Sequence, residues 1–591
     1  MKTVRAVGRR GLALARRWLA LWLPLTMLAL LPLLTDFLSN RYQVAVQDLY
    51  LPTATILLTT LVVWAIFYRL WRRDALAGYS AALLTTAFFS FNYDGRLTAL
   101  YPFLQALVPT SALGFLEGPV FSLVFMAAIV LGAYWTGRGV SRAVAGRRWP
   151  AREIMAAATI AITATFVFQA LPTMHDLVVA WPQFFYKPPQ LTSLPASAKS
   201  APKPDIYYIV MDRYANQDVL QSQFSFDNSS FINFLKDNQY YVNPSDHNNY
   251  PYTTMSIAST MDADYLGDAI SKFGKSTEQT VIPYHESIRN SPVAQALAGI
   301  GYQYDFIGNW YETSNLTEVP NATTYQPEGV LTILGRSWTL NNFGKAKLNA
   351  SIFWRFLPNS PKLDNNFRWL NYSGQSGPDM THYQLQTLTN LANQQPGGRF
   401  IFAHILVPHD PYFFNADGSI NTNINDDNTG EPVKQKYLGQ VQYINGQMKT
   451  LLTKINQNSH GQAVIVLQSD EGPYPFQLND ENFNNAGVDE ELADGDMRSW
   501  SAADLQMKYG NLAAYHVPAA DLAANPTGAD PVNIFRLVLN DYFGGQFPYL
   551  PECYYAYPDG RNRPLNYANI TKTLTGQDNP ACQDDGSGPK P

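Results

Sequence analysis

The sequence predicts a two-part protein, with five transmembrane helices in residues 1–185 and an extracytoplasmic α/β domain in residues 205–591. Three observations predict it. Apolar residues crowd the first third of the chain, and Lys and Arg gather on alternate sides of the apolar runs. Beyond residue 205, short β-rich runs alternate with amphipathic stretches. A chain of 591 residues also exceeds what one hydrophobic core organises.

The apolar runs are Trp18–Leu34, Pro52–Leu70, Leu76–Phe91, Pro119–Gly137 and Ile154–Leu171. The first is at the short end of what crosses a hydrocarbon layer of about 30 Å, and the third is the shortest. Lys2, Arg5, Arg9, Arg10, Arg16 and Arg17 precede the first run. Arg69, Arg72 and Arg73 follow the second, and Arg138, Arg142, Arg147, Arg148 and Arg152 follow the fourth, whereas the opposite loops offer Arg41 and Arg96. Basic loops stay cytoplasmic, so the N-terminus is expected inside and the large domain outside. This is the topology of a multi-pass protein of a bacterial-type cytoplasmic membrane. A basic start before an apolar run also describes a cleaved signal peptide, but four more apolar runs argue against that.

Residues 186–204 carry Pro188, Pro189, Pro195, Pro202 and Pro204, a stiff juxtamembrane linker. Next, Ile206–Met211, Phe400–Leu406 and Ala463–Leu467 read as buried strands, with a weaker one at Tyr304–Ile307. Phe231–Asn238 and Tyr437–Ile455 have helical spacing, and Pro531–Phe543 looks like a packing helix. Strands separated by helices indicate a sheet covered by helices. Cys553 and Cys582, the two cysteines of the chain, read as one disulfide in an exported tail. The net charge of −5 and the lack of a basic stripe in the soluble part give no sign of nucleic-acid binding.

Functional candidates cluster at strand ends, where open α/β sheets bind ligands. The first strand ends in Asp212, the Phe400 strand runs into Val-Pro-His409-Asp410-Pro411, and the Ala463 strand into Ser469-Asp470-Glu471-Gly472. A lone Asp after a strand is usually a turn or cap residue; three such endings point to a site. Asn249-Tyr-Pro-Tyr-Thr253-Thr254-Met-Ser256 reads as a turn opening a helix. It places Thr253 or Thr254 where a capping residue, or a hydroxyl held at the positive helix end, belongs. His404, inside a strand, reads as a packed core residue; His247 and His516 flank motifs without an assigned role. The acidic run Asp480–Asp496 reads as a solvated loop, with calcium binding as the other reading.

Pro204-Asp-Ile-Tyr-Tyr-Ile-Val-Met-Asp212, Tyr-Pro-Tyr-Thr-Thr-Met-Ser, Val-Pro-His-Asp-Pro-Tyr and Gln-Ser-Asp-Glu-Gly-Pro occur in that order. Together they resemble the sulfatase-like branch of the alkaline phosphatase superfamily, over residues 203–545. With the five-span anchor, the architecture is similar to lipoteichoic acid synthase and the lipid A phosphoethanolamine transferases. The resemblance implies one divalent metal ion bound by Asp212, Thr253, Asp470 and Glu471, with Thr253 as the nucleophile. His409 would contact the phosphate or leaving group, and Trp310 the substrate. Glu471 stands where the family usually has His, and Glu312 lies near Trp310 where a basic residue is expected. The implied site is therefore all-oxygen, which favours Mn²⁺ or Mg²⁺, with Zn²⁺ or Ca²⁺ as alternatives. Lys508, Arg498 and protonated His409 are candidates to offset its negative charge, and Lys508 is taken as substrate-binding. The implied function is a membrane-bound phosphotransferase or phosphoesterase acting on a membrane lipid or lipid-linked envelope glycan. A catalytically inactive, lipid-binding or regulatory protein of the same fold is the alternative. A true sulfatase is disfavoured, because no Cys/Ser-x-Pro-x-Arg setting lies near residue 253.

Overall fold

A computed structural model describes residues 25–34, 37, 49–72 and 74–89, and then residues 181–589 apart from 192–193, 275–280, 309–316, 318, 326–330, 334–335, 339–377, 422–429, 475–495 and 559–565. The chain divides into two compact units, residues 1–180 with 329–372, and residues 181–328 with 373–591.

In the first unit, helix α1 spans Leu25–Leu34, α2 Tyr50–Trp71 and α3 Asp74–Phe89. The stretch Pro52–Leu70 of α2 is long and apolar enough to cross a membrane, at a mean hydropathy of 1.6. Its Leu58, Leu61, Val62, Ile66 and Leu70 are exposed, while Phe67 packs on Ala77 and Ala81 of α3. Glycine at 78 allows a close crossing, since a Cβ there would lie 2.5 Å from Leu25 Cδ1. Thr86 Oγ1 donates to Leu28 O at 2.8 Å, tying α3 to α1. The predicted spans at 119–137 and 154–171 lie outside the described residues.

The second unit is built on a seven-stranded sheet. Its strands are β1 (Ile206–Met211), β2 (Tyr241–Asn243), β3 (Gln303–Ile307) and β4 (Ala322–Tyr325), then, past the hairpin β5 (Leu331–Ile333) and β6 (Arg336–Trp338) of the first unit, β7 (Arg399–Ile405), β8 (Val464–Gln468) and β9 (Ala513–His516). The order is β2-β9-β8-β1-β7-β3-β4. Strands β8, β1, β7, β3 and β4 run parallel, and β9 pairs antiparallel with both β8 and β2. Helix α4 (Thr253–Asp262) covers one face; α5 (Pro378–Ala392) and α6 (Gly430–Asn458) cover the other. Two further helices are α7 (Ala502–Tyr509) and α8 (Ile534–Phe543).

Side chains on a strand alternate between faces. Tyr208, Val210, Phe400, Phe402, Val464 and Val466 therefore pack with Met255, Ala258 and Met261 of α4 and Phe535 of α8. Ile209, Met211, Ile401, Ile405, Ile465 and Leu467 pack with Leu388 of α5 and Ile444, Met448 and Leu452 of α6. The result is helix, sheet, helix, each layer burying one apolar side. Cys553 and Cys582 form a disulfide in the tail, Cα atoms 5.6 Å apart.

Candidate metal centre

The face that carries α4 also carries the chemistry. Continuing the alternation past Tyr208 and Val210 brings Asp212 to it. The same count past Val464 and Val466 brings Gln468 and Asp470, and past Phe400 and Phe402 it brings His404. The register pairs Val210 with both His404 and Gln468, so these three strands set their side chains side by side. Asp212, His404 and Asp470 are buried, and one ligand atom from each lies within 4.8 Å of the others. His404 Nε2 stands 3.3 Å from Asp212 Oδ2 and 3.8 Å from Asp470 Oδ2.

Helix α4 delivers the hydroxyl. The Tyr-Pro-Tyr turn leads into it, and Tyr252, extended at φ −138°, ψ 154°, occupies the N-cap without a side-chain hydrogen bond. Thr253 is thus the first helical residue. It is buried, and its side chain hydrogen-bonds to Asp470. A group at this end of a helix sits in the positive end of the peptide dipoles.

Glu471 departs from the expected ligand set. Its Oε1 accepts from Arg213 Nε at 2.8 Å, and its Oε2 lies 2.7 Å from Lys508 Nζ. Burial raises its pKa, but Lys508 and Arg213 outweigh that and hold it below the usual carboxylate value. Lys508, expected at the substrate, is fully buried, with its Nζ 4.7 Å from the Tyr252 ring centre and 4.3 Å from that of Tyr474. Arg498 pairs with Asp496 on the surface. His409 is a quarter exposed at 26%, its Nδ1 against the backbone oxygen of Asp410 and 3.2 Å from that residue's Oδ1. Trp310, Glu312 and most of the acidic run lie outside the described residues.

Two carboxylates sharing a buried site have their pKa values driven apart. Burial pushes Asp470 up, the Asp212 charge adds to this, and its pKa reaches about 8. Burial also raises Asp212, but the His409 charge, the His404 hydrogen bond and Arg213 overcome it and hold it at about 2. Asp212 Oδ1 and Asp470 Oδ2 are buried and accept no hydrogen bond among the described residues. Oxygens of this kind, beside an imidazole nitrogen, fit a divalent cation, which would relieve both the repulsion and the missing bonds. The donor set is mixed nitrogen and oxygen instead of all-oxygen. Of the expected ligands, the structure gathers Asp212 and Asp470 with His404, sets Thr253 beside Asp470, and turns Glu471 toward Arg213 and Lys508.

No protein-family model matches the chain, and no curated protein matches it in sequence. Solved structures resemble it in fold. The C-terminal periplasmic domain of EcEptC from Escherichia coli, in complex with Zn, is 11% identical at a TM-score of 0.36, over 68% of this chain and 100% of that one. A 2-O GAG sulfatase is 11% identical at 0.32, over 59% of this chain and 72% of that one. The phosphonate monoester hydrolase of Agrobacterium radiobacter is 13% identical at 0.31, over 64% and 78%. The proteins that this chain is similar to belong to the alkaline phosphatase-like superfamily.

Proposed function

We propose that this is a membrane-bound, metal-dependent phosphotransferase or phosphoesterase of the sulfatase-like branch. It acts through Thr253 on the phosphate ester of a membrane lipid head group or lipid-linked envelope glycan. One observation carries the reading: a buried Asp212–His404–Asp470 group with a threonine hydroxyl, at a helix N-terminus, bonded to one of its carboxylates.

Asp212, His404 and Asp470 would hold the ion, and Thr253 lies beside them. With one imidazole in the set, Mn²⁺ and Zn²⁺ suit it better than Mg²⁺ or Ca²⁺. When bound, a divalent cation supplies Lewis-acid stabilisation of charge building on phosphorus and lowers the pKa of a neighbouring hydroxyl. Thr253 Oγ1 forms the new bond to phosphorus as the bond to the leaving oxygen breaks. The hydroxyl proton passes to Asp470, its hydrogen-bond partner. His409, on the more open side, hands a proton to the leaving oxygen, while Asp410 fixes its other ring nitrogen. The amides of the first turn of α4 face developing negative charge with a positive dipole end. Water or an acceptor hydroxyl then breaks the phospho-threonine bond.

Glu471 in place of His does not count against catalysis in this reading. Its charge is matched by Lys508 and Arg213 and adds no net negative charge against an incoming phosphate.

The test is to incubate the full-length protein in detergent with phospholipids labelled in the phosphate, and to sequence the labelled peptide by mass spectrometry. A phosphate-containing adduct on Thr253, lost in Thr253→Val, is expected. No adduct in metal-loaded protein, or an adduct that survives Thr253→Val, would overturn the reading.

A further inference from the structure

Arg213 follows Asp212 and is held from three sides. Nε donates to Glu471 Oε1 at 2.8 Å, Nη1 donates to Asp410 Oδ1 at 2.7 Å, and the guanidinium carbon lies 5.1 Å from the centre of the Tyr474 ring. The backbone N–H donates to Asp470 Oδ1 at 3.2 Å, and the residue adopts left-handed geometry at φ 59°. That conformation costs a non-glycine residue free energy, and a built site can sustain it. Nη2 makes no hydrogen bond among the described residues, and the side chain is 13% exposed. The guanidinium is thus fixed along two edges and open at the third, within electrostatic reach of Asp212.

Charge counting assigns the open edge a task. A divalent ion balances Asp212 and Asp470, while Lys508 and Arg213 balance Glu471 and Asp410. Arg213 combines two ion pairs to this cluster, some exposure and a donor that makes no hydrogen bond among the described residues, while His409, also part-exposed against Asp410, is assigned to the leaving oxygen. Lys508 has no exposed surface from which to reach a ligand. Guanidinium suits phosphate oxygens because its planar donors match them, and holding it beforehand removes the ordering cost on binding.

We infer that Arg213 is the substrate-anion arm of the site: its Nη2 edge donates to a non-bridging phosphate oxygen. Glu471, Asp410 and Tyr474 are positioning residues that aim it. The inference rests on the phosphoester reading above.

The experiment uses full-length protein loaded with Mn²⁺ and inorganic phosphate as the probe, with affinity read from the relaxation of the phosphorus signal by bound manganese. Arg213→Gln should weaken phosphate binding at least 10-fold while manganese content stays at the wild-type value. Arg213→Lys should recover only part of this, because an ammonium cannot span two carboxylates and keep a directed donor. Asp410→Asn replaces the charged acceptor of Nη1 with a neutral amide oxygen, leaves the Glu471 contact in place, and should give a smaller loss of about 3-fold; it carries the test if Arg213→Gln does not fold. Unchanged phosphate affinity in Arg213→Gln, or in Asp410→Asn if that variant stands in, overturns the inference. So does wild-type protein that holds manganese but no phosphate. Wild-type protein that takes up no manganese refutes the metal-centre reading instead.

Discussion

Single residues near the centre have opposite fates depending on which way their side chains turn. Asp212, Thr253 and Asp470 are legible in the sequence because strand ends and helix starts are where an α/β fold presents polar groups. His404 was hidden because one histidine in an apolar strand looks like packing. The available signal was parity: Phe400, Phe402 and His404 share the face that Tyr208, Val210 and Asp212 share. Asp470 and Glu471 are neighbours in the chain, yet Asp470 joins Asp212 and His404 while Glu471 reaches Arg213 and Lys508. Chain order gives adjacency without direction, and Lys508 arrives from α7, far along the sequence. Glu471→Gln should therefore retain the metal. It should lower the free energy of unfolding in urea by roughly 3–5 kcal/mol, because Lys508 is left buried against an uncharged amide. Adding Lys508→Met should recover part of that loss. Loss of metal in Glu471→Gln would contradict this assignment.

At the scale of elements, the central strands announce themselves and the edges do not. Ile206–Met211 is the predicted strand itself, and β3, β7 and β8 fall within one residue of expectation. The helices Ser229–Asp237 and Gly430–Asn458 also begin before their predicted ranges, and Ile534–Phe543 begins after. β2, β4 and β9 escape a reading by composition. Each is three or four residues long, and β9, Ala-Ala-Tyr-His, gains its structure from pairing with β8 and β2. The loop after β2 holds a second consequence of burial. Burial raises the pKa of Asp246 well above normal, and the charges of Asp530 and Glu552 raise it further. Since the folded value exceeds the unfolded one, this carboxyl is protonated on folding at mildly acid pH. Its contribution to stability is present below about pH 4 and is lost as pH climbs through the folded value, with about 1.4 kcal/mol for each unit of displacement. Asp246→Asn keeps an oxygen for Asn243 Nδ2, which now donates to Asp246 Oδ1 at 3.1 Å. It should raise urea stability at pH 8 and have little effect near pH 4. A destabilisation that is the same at both pH values would contradict this account.

For the whole molecule, the sequence sets a strongly apolar first part against an α/β part, and the expectation of a membrane part rests on the different residue patterns that lipid and water demand. Helix α2 matches its predicted span, with large aliphatic side chains on its exposed side. The five-span, N-inside arrangement rests on the distribution of Arg. It predicts that Ala45→Cys is labelled by an impermeant maleimide in intact cells and that Ala145→Cys is not. Cys553 and Cys582 are joined to each other and leave no thiol of their own to react. Labelling of Ala145→Cys with protection of Ala45→Cys would reverse the topology and put the metal centre on the cytoplasmic side.

The most direct test of the metal centre is elemental analysis of full-length protein purified without chelators, beside His404→Ala and Glu471→Gln. The account predicts about one equivalent of a divalent transition metal in the wild type and in Glu471→Gln, and less than about a tenth of that in His404→Ala. Full occupancy in His404→Ala would contradict it.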